Sequence, residues 1–305
     1  MEEIIMTIEQ ILEGAFDMHV HTYPEFSEDF ISARDDFDNI ALAKEYGMKG
    51  LVLKSHTFPT LGKARILDRV FPDVNVLGSI TLNQVNGGID PVSVEVALKT
   101  GCKVVHMPTW SSKYDLGNNV AFFLMQKYIK SSHELTEEKD GISIYDENGN
   151  VSEKTMKVLQ LIKEHDACVF TGHMGTEEAI KTLEVCQELG ISKAVFGHPL
   201  AMGKGTPMEL VHKALATGAY VEFTHLIMIP EYCHMPVDKQ LEQIKALVEK
   251  YGADRFILCS DHFDGESPLA PDGLKAFVDT LYKNGIAPED LRKMIVDNPY
   301  KLLGI

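Results

Sequence analysis

The feature that most constrains the fold of this chain is a series of eight short apolar stretches separated by helix-like segments. The stretches begin about 25 to 36 residues apart, with one longer gap of about 65 residues. Several are apolar almost throughout, as expected for parallel strands covered on both faces. Strands and helices that alternate at this spacing predict an α/β fold, and eight such units predict a (β/α)8 or TIM barrel. We therefore expect one barrel domain over residues 1–305.

The longer gap separates the fourth and fifth predicted strands and predicts an insertion on the rim of the barrel. Residues 121–130 have a helical pattern, and Asn148 followed by Gly149 between apolar residues predicts a hairpin. A long insertion at this edge is typical of a lid or of an oligomer contact. We accordingly expect a helical and hairpin insertion between strands 4 and 5.

Charge and hydropathy exclude several classes of partner. The formal net charge of −16 disfavours binding to nucleic acid or to an anionic membrane. No apolar run approaches the roughly 20 residues that span a bilayer, and residues 1–5 do not read as the start of a signal peptide. The cysteines have no Cys-x-x-Cys spacing and are predicted to be small buried hydrophobes in a reducing cytosol; they are Cys102, Cys168, Cys186, Cys233 and Cys259. We expect a cytoplasmic homo-oligomer that acts on a small molecule.

Polar side chains stand at the ends of five predicted strands, which is the edge where barrel active sites lie. They are His19 and His21 after strand 1, Lys54 and His56 after strand 2, His173 after strand 5, His198 after strand 6, and Asp261 after strand 8. Residues two apart on a strand share a face, so the first two imidazoles should converge, and Asp17 should lie on the same face. Converging neutral imidazoles suit zinc, iron or manganese. The pattern therefore predicts a divalent metal site.

This order of residues resembles the amidohydrolase superfamily of metal-dependent barrel enzymes. The resemblance covers almost the whole chain, and residues 298–304 also resemble the usual ending of the family. It is closest to an incompletely characterised branch with Leu-Lys-Ser-His on strand 2 and Met-Pro-Thr on strand 4. The resemblance implies one or two ions, with zinc as the first choice and manganese or iron as alternatives. The ligands that it implies are His19, His21, His173, His198 and Asp261.

The fourth predicted strand departs from the family pattern. Members with two metals usually carry a carboxylated lysine or a glutamate there, whereas residues 103–109 contain neither at the mouth. His106 is a candidate ligand or substrate contact. Lys54 is either a carbamate bridge supplied from strand 2 or a cation that binds substrate or stabilises an oxyanion, because buried lysines change reactivity readily. The number of metal ions therefore stays open.

Three further residues are candidates for contacts around the metal. His56 is expected to contact substrate together with His106. Arg65 opens the helix after strand 2 and is either a guanidinium that holds a substrate carboxylate or a solvated helix residue. Glu222 is expected on the inward face of strand 7, whereas His225, of opposite parity, is expected to be structural.

The reaction most consistent with these residues is hydrolysis of an amide, a cyclic amide or a lactone by metal-activated water. Asp261 would accept the proton of the water and pass it to the leaving group, while His198 or His106 would stabilise the oxyanion. The alternative is a mononuclear decarboxylase of the same superfamily, and two ions per chain would weigh against it. A metal-dependent nuclease fits the ligands but not the charge, and a non-enzymatic metal-binding protein is the remaining class.

Overall fold

Eight parallel strands form the centre of the protein, in the order β1 to β8. The computed structural model describes residues 6–28, 35–129, 140–201, 205–229, 235–263 and 268–305. The strands are β1 (Phe16–His21), β2 (Gly50–Lys54), β3 (Asn75–Thr81), β4 (Val104–His106), β5 (Cys168–Phe170), β6 (Ala194–Phe196), β7 (Tyr220–Thr224) and β8 (Phe256–Cys259). Each strand pairs in parallel with the next, which confirms the predicted barrel class.

Helices connect the strands and cover their outer face. They are α1 (Ile8–Leu12), α2 (Asp36–Glu45), α3 (Leu61–Val70), α4 (Pro91–Lys99), α5 (Lys113–Asn118), α6 (Phe122–Tyr128), α7 (Glu153–Glu164), α8 (Thr176–Leu189), α9 (Met208–Ala216), α10 (Val237–Tyr251), α11 (Ala270–Lys283), α12 (Pro288–Arg292) and α13 (Asn298–Leu303). No helix of the described residues is long and apolar enough to cross a membrane.

Two apolar layers hold this architecture together. The larger layer packs the outward faces of the strands against the helices. The smaller one combines side chains from seven of the eight strands, including Phe16, Val52, Val104 and Ile257, and side chains from so many strands meet only inside the barrel. The interior below the strand ends is therefore a packed core, which fixes the positions of the strand ends.

The described cysteines are free and buried, as predicted, whereas Cys233 lies outside the described residues.

The seam between the last strand and the first is closed by isolated bonds. Seven ladders join β1 through β8, but among the described residues no ladder is found between β8 and β1. Instead, the backbone N–H of Asp261 donates to the carbonyl of His19 at 3.0 Å. The N–H of Ser260 donates to the Asp17 carboxylate at 3.1 Å, and its hydroxyl donates to the same His19 carbonyl at 3.2 Å. One backbone bond and two bonds that involve side chains thus complete the barrel where the regular ladder stops.

The insertion between β4 and β5 contains the predicted helical and hairpin elements. Helix α6 lies within the predicted range 121–130, and Tyr145 forms an antiparallel bridge with Val151. Gly149 supplies the positive φ of +79° that this turn requires. Helix α5 precedes α6, and residues 130–139 lie outside the described part of the chain. The insertion brings α5 and α6 to the edge of the barrel where the strands end.

Candidate metal centre

The strand ends bring the predicted ligands to one mouth of the barrel. His19 and His21 close β1, and the other three follow β5, β6 and β8 within two or three residues. Two of these residues have backbone φ angles in the left-handed region, +30° at His198 and +56° at Asp261. Non-glycine residues adopt such angles at an energetic cost and are concentrated at functional sites. The local backbone is therefore bent to aim these side chains.

Three of the five candidates form a compact triad. Asp261 Oδ1 lies 2.8 Å from His19 Nε2 and 3.1 Å from His21 Nε2, and the three ligand atoms lie within 4.8 Å of one another. All three residues are buried. Atoms that share one cation at about 2.1 Å are separated by similar distances. The triad is therefore arranged as one face of a coordination shell.

His173 and His198 stand beside the triad. Their ring centroids are 5.1 Å apart, and the centroid of His198 is 5.7 Å from that of His19. Within the described ranges, neither residue belongs to a group of three or more potential metal ligands whose ligand atoms all lie within 4.8 Å of one another. The structure thus assembles three of the five predicted ligands tightly and holds the other two adjacent to them.

Carboxylates contact the Nδ1 atoms of two of these histidines, His19 and His173. His19 Nδ1 lies 2.8 Å from Glu222 Oε1, as inward alternation along β7 predicted for that glutamate. His173 Nδ1 lies 2.7 Å from Asp115 Oδ2, on α5 of the insertion. A carboxylate at Nδ1 fixes the proton there and leaves Nε2 as a ligand atom, an arrangement common around protein-bound metals. The donor chemistry therefore fits a divalent cation.

Glu25 performs the same role for two histidines at once. Its Oε2 lies 3.1 Å from His21 Nδ1, and its Oε1 lies 2.7 Å from His56 Nδ1. Neither Glu25 nor Asp115 was among the candidate residues predicted from the sequence. The available signal for Glu25 was its position four residues after the His-x-His pair, whereas Asp115 lies 58 residues before its histidine and had no local signal.

An irregularity in β1 removes Asp17 from the cluster. Alternation predicted that Asp17 shares the face of His19 and His21, but the register with β2 shifts between Asp17 and Val20. A bulge of this kind breaks the two-residue period and re-aims side chains. Asp17 instead accepts from the backbone N–H groups of His19 and Ser260. Its burial raises its pKa to about 7.

Lys54 extends from β2 into the triad. Its side chain is 1% exposed, and Nζ lies 2.7 Å from His19 Nε2. Burial lowers the pKa of this amine, although the carboxylates of Asp261 and Glu222 act in the opposite direction. Among the described residues, no carboxylate lies within ion-pair distance of Nζ. Lys54 therefore contacts the place where a cation would be held.

The other predicted contacts differ in their placement. β2 ends at Lys54, so strand parity does not position His56, which is held by Glu25 and lines the cavity. The ring centroid of His106 is 5.5 Å from that of His19. The Nε2 atoms of His56 and His106 are buried and have no hydrogen-bond partner among the described residues. Two buried ring nitrogens are thus left for a cation or a substrate.

The structure does not bring Arg65 to this cluster. Arg65 lies on the exposed face of α3, whereas Lys63, two residues earlier, faces the β1 loop. Lys63 Nζ donates to the Asp36 carboxylate at 2.8 Å, to the Thr22 hydroxyl at 3.0 Å, and to the Tyr23 carbonyl. Lys63 and Arg65 lie on different faces of α3. The first residues of a helix do not by themselves determine which of its faces packs on the barrel. The described cavity therefore lacks the guanidinium that was predicted for a substrate carboxylate.

Burial favours the neutral form of three histidines in the cluster, namely His21, His56 and His106. Burial lowers the pKa of His21, and the amine of Lys54 acts in the same direction. Burial first, and then Lys54, also hold the pKa values of His56 and His106 well below the usual range. Neutral imidazole is the form that binds metal ions. These rings are therefore ready to act as ligands or hydrogen-bond acceptors at neutral pH.

His19 and Asp261 form the charged centre of the site. Burial acts to lower the pKa of His19, but the carboxylates of Asp261 and Glu222 outweigh it and raise the pKa to about 9. Burial acts to raise the pKa of Asp261, but His19 and its hydrogen bond dominate, and the pKa lies well below its usual range. These opposite pKa shifts favour an ion pair between His19 Nε2 and Asp261 Oδ1, which lie 2.8 Å apart. A cation bound at Nε2 would replace the proton of the ring.

An apolar cover closes the mouth above the histidines. We use this name for the cluster of Phe26, Trp110, Leu116, Ala121, Phe122, Leu124 and Met125. Phe26 stacks on His56 with ring centroids 5.4 Å apart. Phe263 meets His21 edge-on at 5.7 Å. The cavity between the cover and the triad has a volume of about 10 Å³, and its lining is His21, His56, Ala121, Leu124, His173, Leu226, Asp261 and Phe263.

Gly172 positions His173 at the end of β5. Its φ is +58°, and a Cβ atom there would lie 2.3 Å from the Met107 carbonyl oxygen. Gly172→Ala is therefore expected to lower the free energy of unfolding by about 2 kcal/mol or more, through strain and displaced backbone. Urea unfolding measures this effect. Gly62→Ala is the matched control, since Gly62 is helical with no atom near the added Cβ, and it should be neutral or stabilising.

The fold and the site together define a TIM barrel with a candidate metal centre at its C-terminal mouth. Three solved structures share this fold. A lactonase from Listeria monocytogenes has a TM-score of 0.64 and 15% identity, covering 98% of this chain and 96% of that chain. An amidohydrolase from Pseudomonas aeruginosa has a TM-score of 0.58 and 12% identity, covering 98% of both chains. A probable 2-pyrone-4,6-dicarboxylic acid hydrolase from Acinetobacter baumannii has a TM-score of 0.58 and 13% identity, covering 96% and 100%.

These comparisons confirm the predicted barrel fold. The chain belongs to DUF6282, a family of unknown function whose model matches residues 14–222. The matched range runs from the start of β1 into β7 and so includes every candidate ligand except Asp261. No curated protein matches this chain in sequence.

Proposed function

We propose that this protein is a metal-dependent hydrolase that cleaves a small, uncharged lactone, ester or amide. The observation that carries the proposal is the triad of His19, His21 and Asp261 at the base of a largely apolar cavity. Such a combination of a few polar groups with apolar walls is typical of small-molecule sites. The lactonase and the amidohydrolase that share the fold are consistent with this class of reaction.

Zinc is the cation that we propose for the triad. Two imidazole nitrogens and one carboxylate oxygen are a ligand set that catalytic zinc uses, with a further position left for water or substrate. When bound, the cation lowers the pKa of water towards neutrality and polarises a carbonyl group. Manganese and iron accept the same ligands, so the metal content of the purified protein must be measured directly.

Asp261 is the residue that we assign to proton transfer. Its Oδ1 contacts both β1 imidazoles, and its Oδ2 takes no part in those two contacts. During hydrolysis, oxygen from water forms a bond to the carbonyl carbon, and the bond to the leaving alkoxide or amine breaks. Asp261 accepts the proton that the water loses and returns it to the leaving group. No additional oxidant or reductant is needed.

Donors beside His19 are suited to stabilise the negative oxygen that develops on the substrate. Lys54 Nζ lies 2.7 Å from His19 Nε2, and the buried Nε2 of His106 is available nearby. Donors aimed at such an oxygen inside a dry cavity contribute strongly to catalysis. His198 is held by its backbone N–H, which donates to Glu222 Oε2 at 3.1 Å, and is a further candidate for this role or for a second ion.

A reconstitution experiment tests the proposed function. The protein is stripped with a chelator, loaded separately with Zn²⁺ or Mn²⁺, and assayed against neutral lactones, esters and amides. We expect turnover that disappears on stripping and returns with metal. Absence of stoichiometric metal binding to the His19, His21 and Asp261 triad would contradict the proposal.

The lining of the cavity predicts a preference for uncharged substrates. Apart from the site residues, its lining consists of Ala121, Leu124, Leu226 and Phe263, with no arginine or lysine among the described lining residues. A carboxylate buried there without a partner would cost several kcal/mol. We expect kcat/KM for a neutral six-membered lactone to exceed that for a 2-pyrone dicarboxylate by at least about 100-fold. Equal values would show that the apolar walls do not select the substrate.

A decarboxylase is the second candidate. The observation that favours it is that, within the described residues, only the group around His19, His21 and Asp261 combines predicted ligands within 4.8 Å, which suits a single ion. Metal stoichiometry and assays for released CO2 distinguish the two reactions. Two ions per chain, or hydrolysis products without CO2, would favour the hydrolase.

We also propose a cytoplasmic homo-oligomer, on the basis of the acidic charge and the rim insertion.

A further inference from the structure

Glu25 connects two histidines that face the cavity. The residue is 3% exposed and follows β1 in the loop above the triad. Its Oε2 lies 3.1 Å from His21 Nδ1. Its Oε1 lies 2.7 Å from His56 Nδ1 and accepts the backbone N–H of His56 at 2.6 Å. The two imidazoles stack with centroids 4.7 Å apart. One carboxylate therefore fixes the spacing between a ring at the end of β1 and a ring in the loop after β2.

The contacts of Glu25 determine where each ring carries its proton. A carboxylate accepts hydrogen bonds and cannot donate them, so the Nδ1 atoms of both His21 and His56 must be the donors. In a neutral ring the other nitrogen, Nε2, then carries a lone pair. In His21 this lone pair faces Asp261 Oδ1 at 3.1 Å, and two facing acceptors are satisfied by a cation between them. In His56 the Nε2 atom has no partner among the described residues, and the residue lines the cavity.

We propose that Glu25 is a positioning residue that holds His21 as a metal ligand and His56 as a hydrogen-bond acceptor for substrate. The proposal rests on the cation site inferred above and adds a substrate property to it. The Nε2 of His56 is buried and has no partner among the described residues, and His56 lines the cavity. An acceptor in this position selects a substrate that carries an N–H or O–H group near its reacting carbonyl.

The geometry argues against a second cation between these three residues. Their ligand atoms do lie within 4.8 Å of one another. However, Glu25 Oε1 already receives two donors from His56, its ring nitrogen and its backbone N–H, at 2.7 and 2.6 Å. An oxygen used in this way holds the orientation of an imidazole and does not itself bind the cation, as is common for carboxylates around metal sites.

The first test observes the protons directly and needs no variant. Nitrogen-15 spectra of histidine side chains distinguish Nδ1–H from Nε2–H tautomers. In the metal-free wild type, we expect the Nδ1–H form for His56, assigned with His56→Gln. In Glu25→Gln, the amide must donate one bond and accept the other, so one of the two rings is expected to change tautomer. An Nε2–H form of His56 in the wild type would overturn the proposal.

The second test measures Zn²⁺ affinity by competition with a chromogenic chelator. We expect Glu25→Gln to weaken binding by about 10- to 100-fold through His21. His56→Gln should leave the affinity within about twofold, because His56 is not a ligand in this proposal. Loss of one equivalent of metal in His56→Gln would instead identify a second ion site. Glu249→Gln, which changes an exposed glutamate, is the matched control for the loss of one charge.

The third test compares substrates on the zinc-loaded enzyme. A hydroxylated lactone and its deoxy analogue are assayed with wild type and His56→Gln. We expect the wild type to prefer the hydroxylated compound by about 100-fold or more, since a buried acceptor left without its donor is costly. The preference should shrink in His56→Gln. Failure of wild type to bind zinc would contradict the proposed function, whereas zinc binding with no hydroxyl preference would contradict only this inference.

Discussion

Asp261→Asn is expected to reduce kcat/KM by at least about 1,000-fold, because one side chain both completes the triad and transfers the proton. Its Oδ1 lies 2.8 Å from His19 Nε2 and 3.1 Å from His21 Nε2. Asparagine keeps the shape, but it has no charge for a cation and cannot take up a proton. Steady-state kinetics, together with metal analysis of the same preparation, measure both effects.

Controls separate this effect from a loss of fold. Asp254→Asn changes an exposed carboxylate just before β8, close to Asp261 in the sequence, and should leave kcat/KM within about twofold. The double variant His19→Ala, His21→Ala should lose bound metal and activity while its circular dichroism stays that of the wild type, since the packed interior of the barrel is unchanged. Unaltered metal content and turnover in the double variant would contradict the assignment of the site.

Lys54→Met is expected to lower kcat by about 100-fold and to leave metal content complete. Methionine keeps much of the length and apolar bulk but removes the amine that lies 2.7 Å from His19 Nε2, and an oxyanion donor of this kind contributes on that scale. A positive charge so close to the triad would repel a cation, so its removal should not weaken metal binding. Kinetics and metal analysis of the purified variant provide the measurement.

The alternative role of Lys54 has a different signature. If the side chain is a carbamate bridge, Lys54→Ala should lose one of two ions and recover partly on addition of short carboxylic acids. Arg69→Met is a suitable comparison, because it removes an exposed positive charge from α3 without touching the cluster. Wild-type kinetics and full metal in both Lys54 variants would leave a purely structural role for this buried amine.

The order of the strands and the three residues of the triad were predictable because they depend on local patterns. Apolar runs at regular spacing determine the barrel, and strand ends of a barrel meet at one mouth, whatever the details of the loops. Alternation along β7 was enough to place Glu222 inward. The same rule failed at Asp17, because a register shift in β1 is a consequence of pairing with β2 and leaves no mark in the sequence of β1 alone.

The partners of the histidines were less predictable because they come from loops and insertions. Glu25 contacts His56 from the loop after β1, and Asp115 contacts His173 from the insertion between β4 and β5. A carboxylate in a polar loop has no periodicity that indicates its partner. Arg65 failed for a related reason: whether a residue in the first turn of a helix faces the mouth depends on how that helix packs on the barrel.

The seam between β8 and β1 has a consequence for how the chain folds. His21 and Asp261 lie 240 residues apart in sequence, yet their side chains meet across this seam. A cation held by both would act as a cross-link between the first and last strands, where the regular ladder is missing. The ligand set is complete only when β1 and β8 have come together, and closing so long a loop carries a large entropic cost. Metal binding would therefore stabilise the contact between the first and the last strand and hold the two ends of the barrel together.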